Sequence, residues 1–282
     1  MIKLISIIGH GVPLIPHFIN HYYNMVDEIN FVVYESDIHP DLKREIRSAI
    51  RGKEKVKIVK TVYDRIFDWN RVTDLYNEQI KKSRSNWYMI ADIDEFHVYP
   101  ESPNYIVSDC ESRGWELVRG GFIDRIGING EFCEIVKDVP IFDQFPIAGF
   151  FRYPMSGACP NKICLVKGGT EITSGQHYAK LNGQTTWRWQ GWNHPLIASV
   201  EKYSVQVHHF KWDSTCLERI KNVADINQDY SYSDEYKVMY DAIKKNKSRI
   251  DLSNSEFMFE YGCVYFEDYK EWISLIKKII SI

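Results

Sequence analysis

Asp92-Ile93-Asp94-Glu95 places three carboxylates within four residues, directly after the apolar run Trp87-Tyr88-Met89-Ile90-Ala91. In an extended segment residues two apart point the same way, so Asp92 and Asp94 can offer oxygens to one ion. Hard divalent cations such as Mg²⁺ and Mn²⁺ take oxygen ligands and keep positions open for substrate phosphates. An acidic pair at the end of a buried strand therefore suits a diphosphate-bearing substrate, whereas the same pair in a solvated turn does not.

Far downstream, His208-His209-Phe210-Lys211-Trp212-Asp213 combines imidazole, cation and carboxylate. Mn²⁺ accepts an imidazole beside carboxylates, and a nearby lysine neutralises a departing phosphate. The plainer reading is two ordinary histidines at a sheet edge. Trp187, Trp189 and Trp192, with His194 close by, present aromatic faces that suit the apolar face of a sugar ring, or simply belong to a core. His17 and His21 share a helix face at a spacing used by zinc sites, but Phe18 stands where the catalytic Glu of H-E-x-x-H would be, so a packed or surface pair is preferred.

The elements that must position these residues alternate strand and helix through the first ninety-odd positions, which predicts an α/β fold with a mainly parallel sheet. Strands are expected at Leu4–Ile8, Phe31–Tyr34, Val56–Val59 and Trp87–Ala91. Helices between them bury Leu14, Phe18, Tyr22 and Met25, then Leu42, Ile46 and Ile50, then Val72, Leu75, Tyr76 and Ile80. Ligands of open α/β sheets bind beyond the carboxyl ends of the strands, where Glu35, Asp64 and the Asp92 cluster are all predicted to lie.

After residue 114 the pattern changes to short strands: Trp115–Val118, then Phe122–Ile128 joined through Asn129-Gly130 to Phe132–Glu134, a hairpin signal because both turn residues tolerate positive φ. Lys162–Val166 and Val205–His208 follow. From Ser214 the chain reads as helical, with Ser214 and Ser233 as N-caps and Tyr269, Trp272, Ile273, Ile276 and Ile280 along one late face. The expected division is a main domain over 1–213 and a helical extension over 214–282.

Several of these segments together resemble the GT-A glycosyltransferases, and more closely the family-2-like group with a D-x-D-E-F motif. The resemblance rests on Asn86 through Phe96, Gly121-Phe122-Ile123-Asp124-Arg125, Gln144-Phe145-Pro146, Lys162–Val166, Gly175-Gln176-His177 and His209-Phe210-Lys211-Trp212; it spans roughly residues 1–213. It implies a GT-A-like mixed sheet flanked by helices, with a nucleotide-binding half in which Asp92 and Asp94 hold Mn²⁺ or Mg²⁺ against the donor diphosphate. His209, followed by an aromatic residue, would complete the coordination, with His208 the other choice. Glu35, Asp64 and Arg71 lie where such enzymes contact base, ribose or phosphates, and Lys211 where the leaving group is neutralised. The acceptor side falls to Trp187, Trp189, Trp192 and His177. One departure stands out: His10-Gly11-Val12-Pro13 occupies the early loop that often opens with Asn-Glu.

The implied activity is transfer of a sugar from a nucleotide-sugar donor to a hydroxyl of a glycan or other glycoconjugate. An inverting enzyme would need a general base, for which Asp124 is the first candidate and Asp143 the reserve. Two rivals remain on the residues alone: a metal-dependent nucleotidyl- or phosphotransferase, and a non-catalytic carbohydrate-binding module.

Composition narrows the field further. With 282 residues, 44% hydrophobic and a formal net charge of -3, the chain can bury a sizeable core and carries no global field toward nucleic acid or an anionic membrane. The apolar start Leu4–Ile8 is broken by Gly9-His10-Gly11, so neither an export signal nor a membrane-spanning run of about 20 residues is expected. Six scattered cysteines lack C-x-x-C spacing and read as free thiols of a cytoplasmic protein.

Overall fold

The computed structural model describes residues 1–186, 194–226, 231–253, 264–265, 274 and 277. In chain order it contains β1 (Ile2–Ile8), α1 (Ile15–Tyr22), β2 (Glu28–Glu35), α2 (Leu42–Ala49), β3 (Val56–Tyr63), α3 (Trp69–Ile80), β4 (Trp87–Ile90), β5 (Glu95–Val98), α4 (Pro103–Arg113) and β6 (Leu117–Ile126). There follow α5 (Ile141–Gln144), β7 (Ile147–Gly149), α6 (Arg152–Ser156), β8 (Asn161–Lys167), β9 (Glu171–Ile172), β10 (Ala179–Leu181), β11 (Gln184–Thr185), β12 (Val205–His209), α7 (Cys216–Ile226), α8 (Ser231–Lys245) and β13 (Val264–Tyr265). This is the mixed sheet flanked by helices expected of a GT-A-like α/β fold.

The chain packs as two compact units, one built from Met1–Gly121 and Asn161–Val207, the other from Phe122–Pro160 and the described residues of His208–Leu275. The resemblance and the helical pattern suggest a boundary after 213; by packing, the two parts of β6 fall in different units, as do those of β12. The reason lies in the second unit's core, where Ile126, Ile147, Phe151 and Met155 pack with Trp212, Cys216, Ile220, Met239, Ile243 and Ile250. The helices after 213 need that earlier segment to bury their apolar faces.

In the first unit β3, β2, β1 and β4 are parallel neighbours, with Leu4 opposite Ile29 and Met89. Their near-continuous burial suits parallel strands covered on both faces. Antiparallel β8 extends the sheet beside β4, and the first half of β6 pairs with β8. Helix α3 lies against Ile5, Ile7, Val32, Ile90 and Ile163 through Val72, Leu75, Tyr76 and Ile80, the face read from the sequence. Its start is fixed by Asp68, whose side chain accepts from Asn70 N at 2.7 Å. Strands β9 to β11 form a small antiparallel sheet after a turn at Gly168, where a Cβ would sit 1.8 Å from Ser83 O.

In the second unit the latter half of β6 pairs with β7, and β7 with β13, all antiparallel. Asn129 and Gly130 do take positive φ, 60° and 75°, but Phe132–Glu134 forms no strand. Gly127 N closes the turn on Glu131 O, and Cys133 bridges to Asp213 instead of returning along β6. Gly130 is committed elsewhere: its carbonyl accepts from Ile250 N, and a Cβ there would lie 2.0 Å from Ile250 O. Ser233, expected as an N-cap, falls inside α8, and α7 starts two residues after Ser214. Tyr269, Trp272, Ile273, Ile276 and Ile280 lie outside the described residues. Among the described residues no helix is long and apolar enough to cross a membrane.

Candidate active site

At the carboxyl end of β4 the chain makes a tight turn, with Glu95 N donating to Asp92 O and Asp92 N donating to Glu95 Oε2, both at 3.0 Å. The turn is locked from β8. Lys162 Nζ donates to Asp92 Oδ2 at 2.8 Å, to Glu95 Oε1 at 2.7 Å and to Gln176 Oε1 at 2.7 Å, which uses all three ammonium protons. From α3, Tyr76 Oη donates to Asp92 Oδ1 at 2.7 Å and accepts from Ile7 N. One side chain of this knot keeps contact with solvent: Asp92 is 27% exposed, against 2% each for Lys162 and Glu95. Asp94 is buried.

The electrostatics follow from this geometry. Burial works against the Lys162 charge, but the Asp92 and Glu95 carboxylates outweigh it and raise the ammonium above its ordinary pKa. Burial, reinforced by Asp92, pushes the Tyr76 phenol well up, so it stays a donor. Three carboxylates, Asp92, Asp94 and Glu95, against one ammonium leave a formal local charge of minus two.

Behind the turn, Tyr22 Oη donates to Glu95 O and accepts from His97 N, tying α1 to β5. Burial first, then the nearby Lys162 charge, holds His97 well below the ordinary histidine range, so it is neutral.

Beside β8 the turn Ser174–His177 contains two consecutive left-handed residues, Gly175 at φ 73° and Gln176 at φ 56°. His177 Nδ1 donates to Asn161 O at 2.6 Å, which leaves Nε2 as the acceptor nitrogen.

Glu35 and Asp64 sit at the ends of parallel strands as expected. Glu35 closes β2 and Asp64 follows β3; Asp64 N donates to Glu35 O. The Glu35 carboxylate accepts from Lys43 N at the start of α2. Burial and then Asp64 raise the Tyr34 phenol pKa, which places Asp64 at that hydroxyl. Arg71 is exposed on the first turn of α3.

The remaining candidates lie in the second unit. Asp124 is buried: its Oδ2 accepts from Phe151 N at 2.7 Å and Arg152 N at 2.9 Å, and its Oδ1 from Trp212 Nε1 at 3.0 Å. His209 Nδ1 stands 3.6 Å from the same Oδ1. Burial opposes the charge, yet His209 and these donors win and keep the carboxyl below its usual range. The Arg125 guanidinium donates to Phe145 O and Phe142 O. His208 is buried edge-on to Phe142, Lys211 Nζ donates to Tyr236 Oη at 3.1 Å, and Asp143 is exposed on α5. Trp187, Trp189 and Trp192 lie outside the described residues.

Among the described residues no three His, Cys, Asp or Glu side chains converge as a ready metal cage. Three residues of the site have no role assigned from the sequence: Lys162 and Gln176, which belong to segments that carry the resemblance, and Tyr76, whose helical spacing marks it only as core.

No protein-family model matches this sequence, and no curated protein matches it. Among solved structures, a putative glucose-1-phosphate thymidylyltransferase from Bacillus anthracis, in complex with a sucrose, aligns over 49% of this chain and 61% of its own, with 10% identity and a TM-score of 0.30. The chain thus spans less than two thirds of that protein's length. A mannose-6-phosphate isomerase from Helicobacter pylori aligns over 60% of this chain and 71% of its own, with 13% identity and a TM-score of 0.30. Likeness at this level speaks to neither activity nor substrate.

Proposed function

We propose that this protein is a metal-dependent glycosyltransferase that moves a sugar from a nucleotide-sugar donor to a hydroxyl of a carbohydrate or glycoconjugate acceptor. The observation that carries the reading is the Lys162 lock on the Asp92–Glu95 turn: it holds the partly exposed Asp92 at the carboxyl end of a parallel strand, in a patch with formal charge to spare. An all-oxygen donor set with two surplus negative charges suits Mg²⁺ or Mn²⁺, which are held by one or two carboxylates together with substrate phosphates. Asp92 and Asp94 would hold the ion, and when bound it would supply charge withdrawal from the departing nucleoside diphosphate.

The chain's own residues do the rest. Lys162 and Tyr76 fix the direction of the Asp92 oxygens before substrate arrives, so no reorganisation is needed at the moment of reaction. Glu35, Asp64 and Arg71 are assigned to the nucleotide, and His209, or else His208, to the ion, with Lys211 to the leaving phosphate; these assignments come from the family resemblance. Trp187, Trp189, Trp192 and His177 are assigned to the acceptor. Of the two carboxylates considered as general base, Asp143 is free to meet solvent, whereas the Asp124 oxygens are taken by interior donors. Asp143 is therefore the proposed base, and Asp124 an anchor. The free thiols Cys110, Cys164 and Cys216, all buried, fit a cytoplasmic setting.

A nucleotidyltransferase would use the same acidic rim, and product identity separates the two. The test is incubation with UDP-, GDP- and dTDP-sugars and Mn²⁺, and separately with nucleoside triphosphates plus sugar 1-phosphates. Nucleoside diphosphate release supports glycosyl transfer. Pyrophosphate release from the second mixture alone would replace it with nucleotidyl transfer.

A further inference from the structure

We infer that the outer face of α2, together with the loops 36–41 and 64–68, docks on an anionic lipid bilayer, a role separate from the chemistry proposed above. All of these residues belong to the first unit. The charge of the chain is unevenly placed: residues 43–65 hold nine lysines and arginines against three acidic side chains, in a protein whose formal net charge is -3.

Helix α2 sorts this charge to one side. Leu42 and Ile46 are buried, which turns Arg44 and Arg47 to solvent, with Lys43 partly exposed beside them. Arg51, four residues on from Arg47, follows in the turn closed by Arg51 N on Ser48 O, and Lys53 is exposed in the same turn. The neighbouring carboxylates are taken up, Asp41 by Arg44 at 3.2 Å and Asp37 by Arg65 at 3.9 Å. Among the described residues no carboxylate lies within ion-pair distance of Lys43, Arg47, Arg51 or Lys53, whereas Lys57 and Lys60 are paired with Glu28 and Glu78.

A basic helix face alone is an ordinary solvated surface; the side chains beside this one are not. Ile38, Tyr63 and Ile66 are 55%, 58% and 43% exposed, three of the nine large apolar or aromatic side chains in that state among the described residues. Scattered singly they would need no explanation, but hydrogen bonds gather them. Tyr63 Oη donates to Asp37 Oδ1, Asp37 N donates to Arg65 O at 3.3 Å, and Asp64 N donates to Glu35 O at 3.2 Å. The start of α2 is fastened at the same place, with Lys43 N donating to Glu35 Oε1 at 3.0 Å. The fold thus holds two isoleucines and a tyrosine in water at the head of a basic helix.

The occupant follows from the two features together. Cations gather at a surface of dense negative charge, and apolar side chains gain by leaving water for the acyl boundary. A nucleic acid would use the cations and leave Ile38 and Ile66 in water. A second copy of the chain would bring like charges face to face. An anionic bilayer accommodates both, as it does other surfaces that lie in the interface with basic and apolar side chains side by side.

The experiment is vesicle co-sedimentation of the full chain at about 0.1 M and about 1 M NaCl, with phosphatidylcholine alone and phosphatidylcholine mixed with phosphatidylglycerol. Three double variants join the parent: Arg47→Glu with Arg51→Glu, Ile38→Ser with Ile66→Ser, and, as a control of equal net charge change, Lys244→Glu with Lys245→Glu on the exposed side of α8. All six positions are exposed, and unfolding midpoints check that each variant folds. The parent is expected to sediment with the phosphatidylglycerol vesicles and to be released at high salt. Reversal on α2 should lower its partition at least about tenfold, loss of the two isoleucines about tenfold, and the control should behave as the parent. A parent that ignores the phosphatidylglycerol vesicles overturns the assignment, as does an equal loss in the α2 and control variants, which would reduce it to net charge. Parental binding by the isoleucine variant removes the ground for choosing a bilayer and overturns it too. Binding of a labelled RNA oligonucleotide, or self-association by analytical ultracentrifugation, without vesicle binding would give the surface to that partner instead.

Discussion

Lys162 Nζ lies 2.8 Å from Asp92 Oδ2, joining β8 to the turn that ends β4 across 70 residues of sequence. With Glu95 equally buried on the other side, the ammonium is the counter-charge for a carboxylate that has no access to water. Removing one partner of a buried pair leaves an uncompensated charge, so Lys162→Met is expected to lower stability by about 3–5 kcal/mol in urea unfolding.

The same pair carries a pH signature. The folded pKa of Lys162 lies above its unfolded value, so the pair's stabilisation is complete below about pH 10.4 and is lost as pH rises through the folded value. The parent should therefore shed stability in the alkaline range above about pH 10.4, and Lys162→Met should lack that component. An alkaline stability profile of identical shape in the two proteins would mean that Lys162 is not paired as described.

Tyr76→Phe isolates the second support of Asp92. The hydroxyl both donates to Oδ1 and accepts from Ile7 N, so its loss is expected to cost about 1 kcal/mol in unfolding free energy. Asp92 then turns more freely, and Mn²⁺ affinity measured by calorimetry should weaken by a few-fold, about what one hydrogen bond is worth. Wild-type stability in this variant would contradict the hydrogen-bond arrangement.

Asp124→Asn tests whether that carboxylate is an anchor. The amide turns an N–H toward donors that previously met an oxygen, and a stability loss of about 3 kcal/mol at neutral pH is expected. Because the folded pKa is depressed, the parent's stabilisation is present above about pH 3.9 and disappears as pH falls through the folded value; the variant should lack this acid-sensitive part. Full stability in Asp124→Asn with transfer reduced by a factor of about 10² to 10⁴ would instead restore it as the general base.

The parallel half of the sheet was legible because its strands are continuous apolar runs and its helices keep a clean period, so β1, β2, β4 and α3 fall within a few residues of expectation. The acidic turn was legible as a turn for the same reason, since the carboxylate cluster follows directly on a buried apolar strand. What holds it was not. Lys162 acts through a side chain that reaches from another strand, and Gln176 through a strained turn, neither of which leaves a periodic trace. Asn129-Gly130 shows the reverse failure, since the dihedral angles were foreseen but the pairing was decided by Ile250 and Asp213 from elsewhere in the chain. The packing of Ile126, Ile147 and Phe151 with the helices after 213 was not legible because those residues sit in short segments with no helical period of their own.

The most direct test of the central claim is nucleoside diphosphate release from a panel of nucleotide sugars, followed with and without Mn²⁺ in the parent, Asp92→Asn and Asp94→Asn. Each substitution keeps the side chain's shape and removes one charge from a turn still held by Glu95 and Lys162, so both variants should fold, by circular dichroism and unfolding midpoint. The account predicts release by the parent only when Mn²⁺ or Mg²⁺ is present, and none above background from either folded variant. Release that is independent of metal, or that survives in both variants at the parental rate, would contradict it.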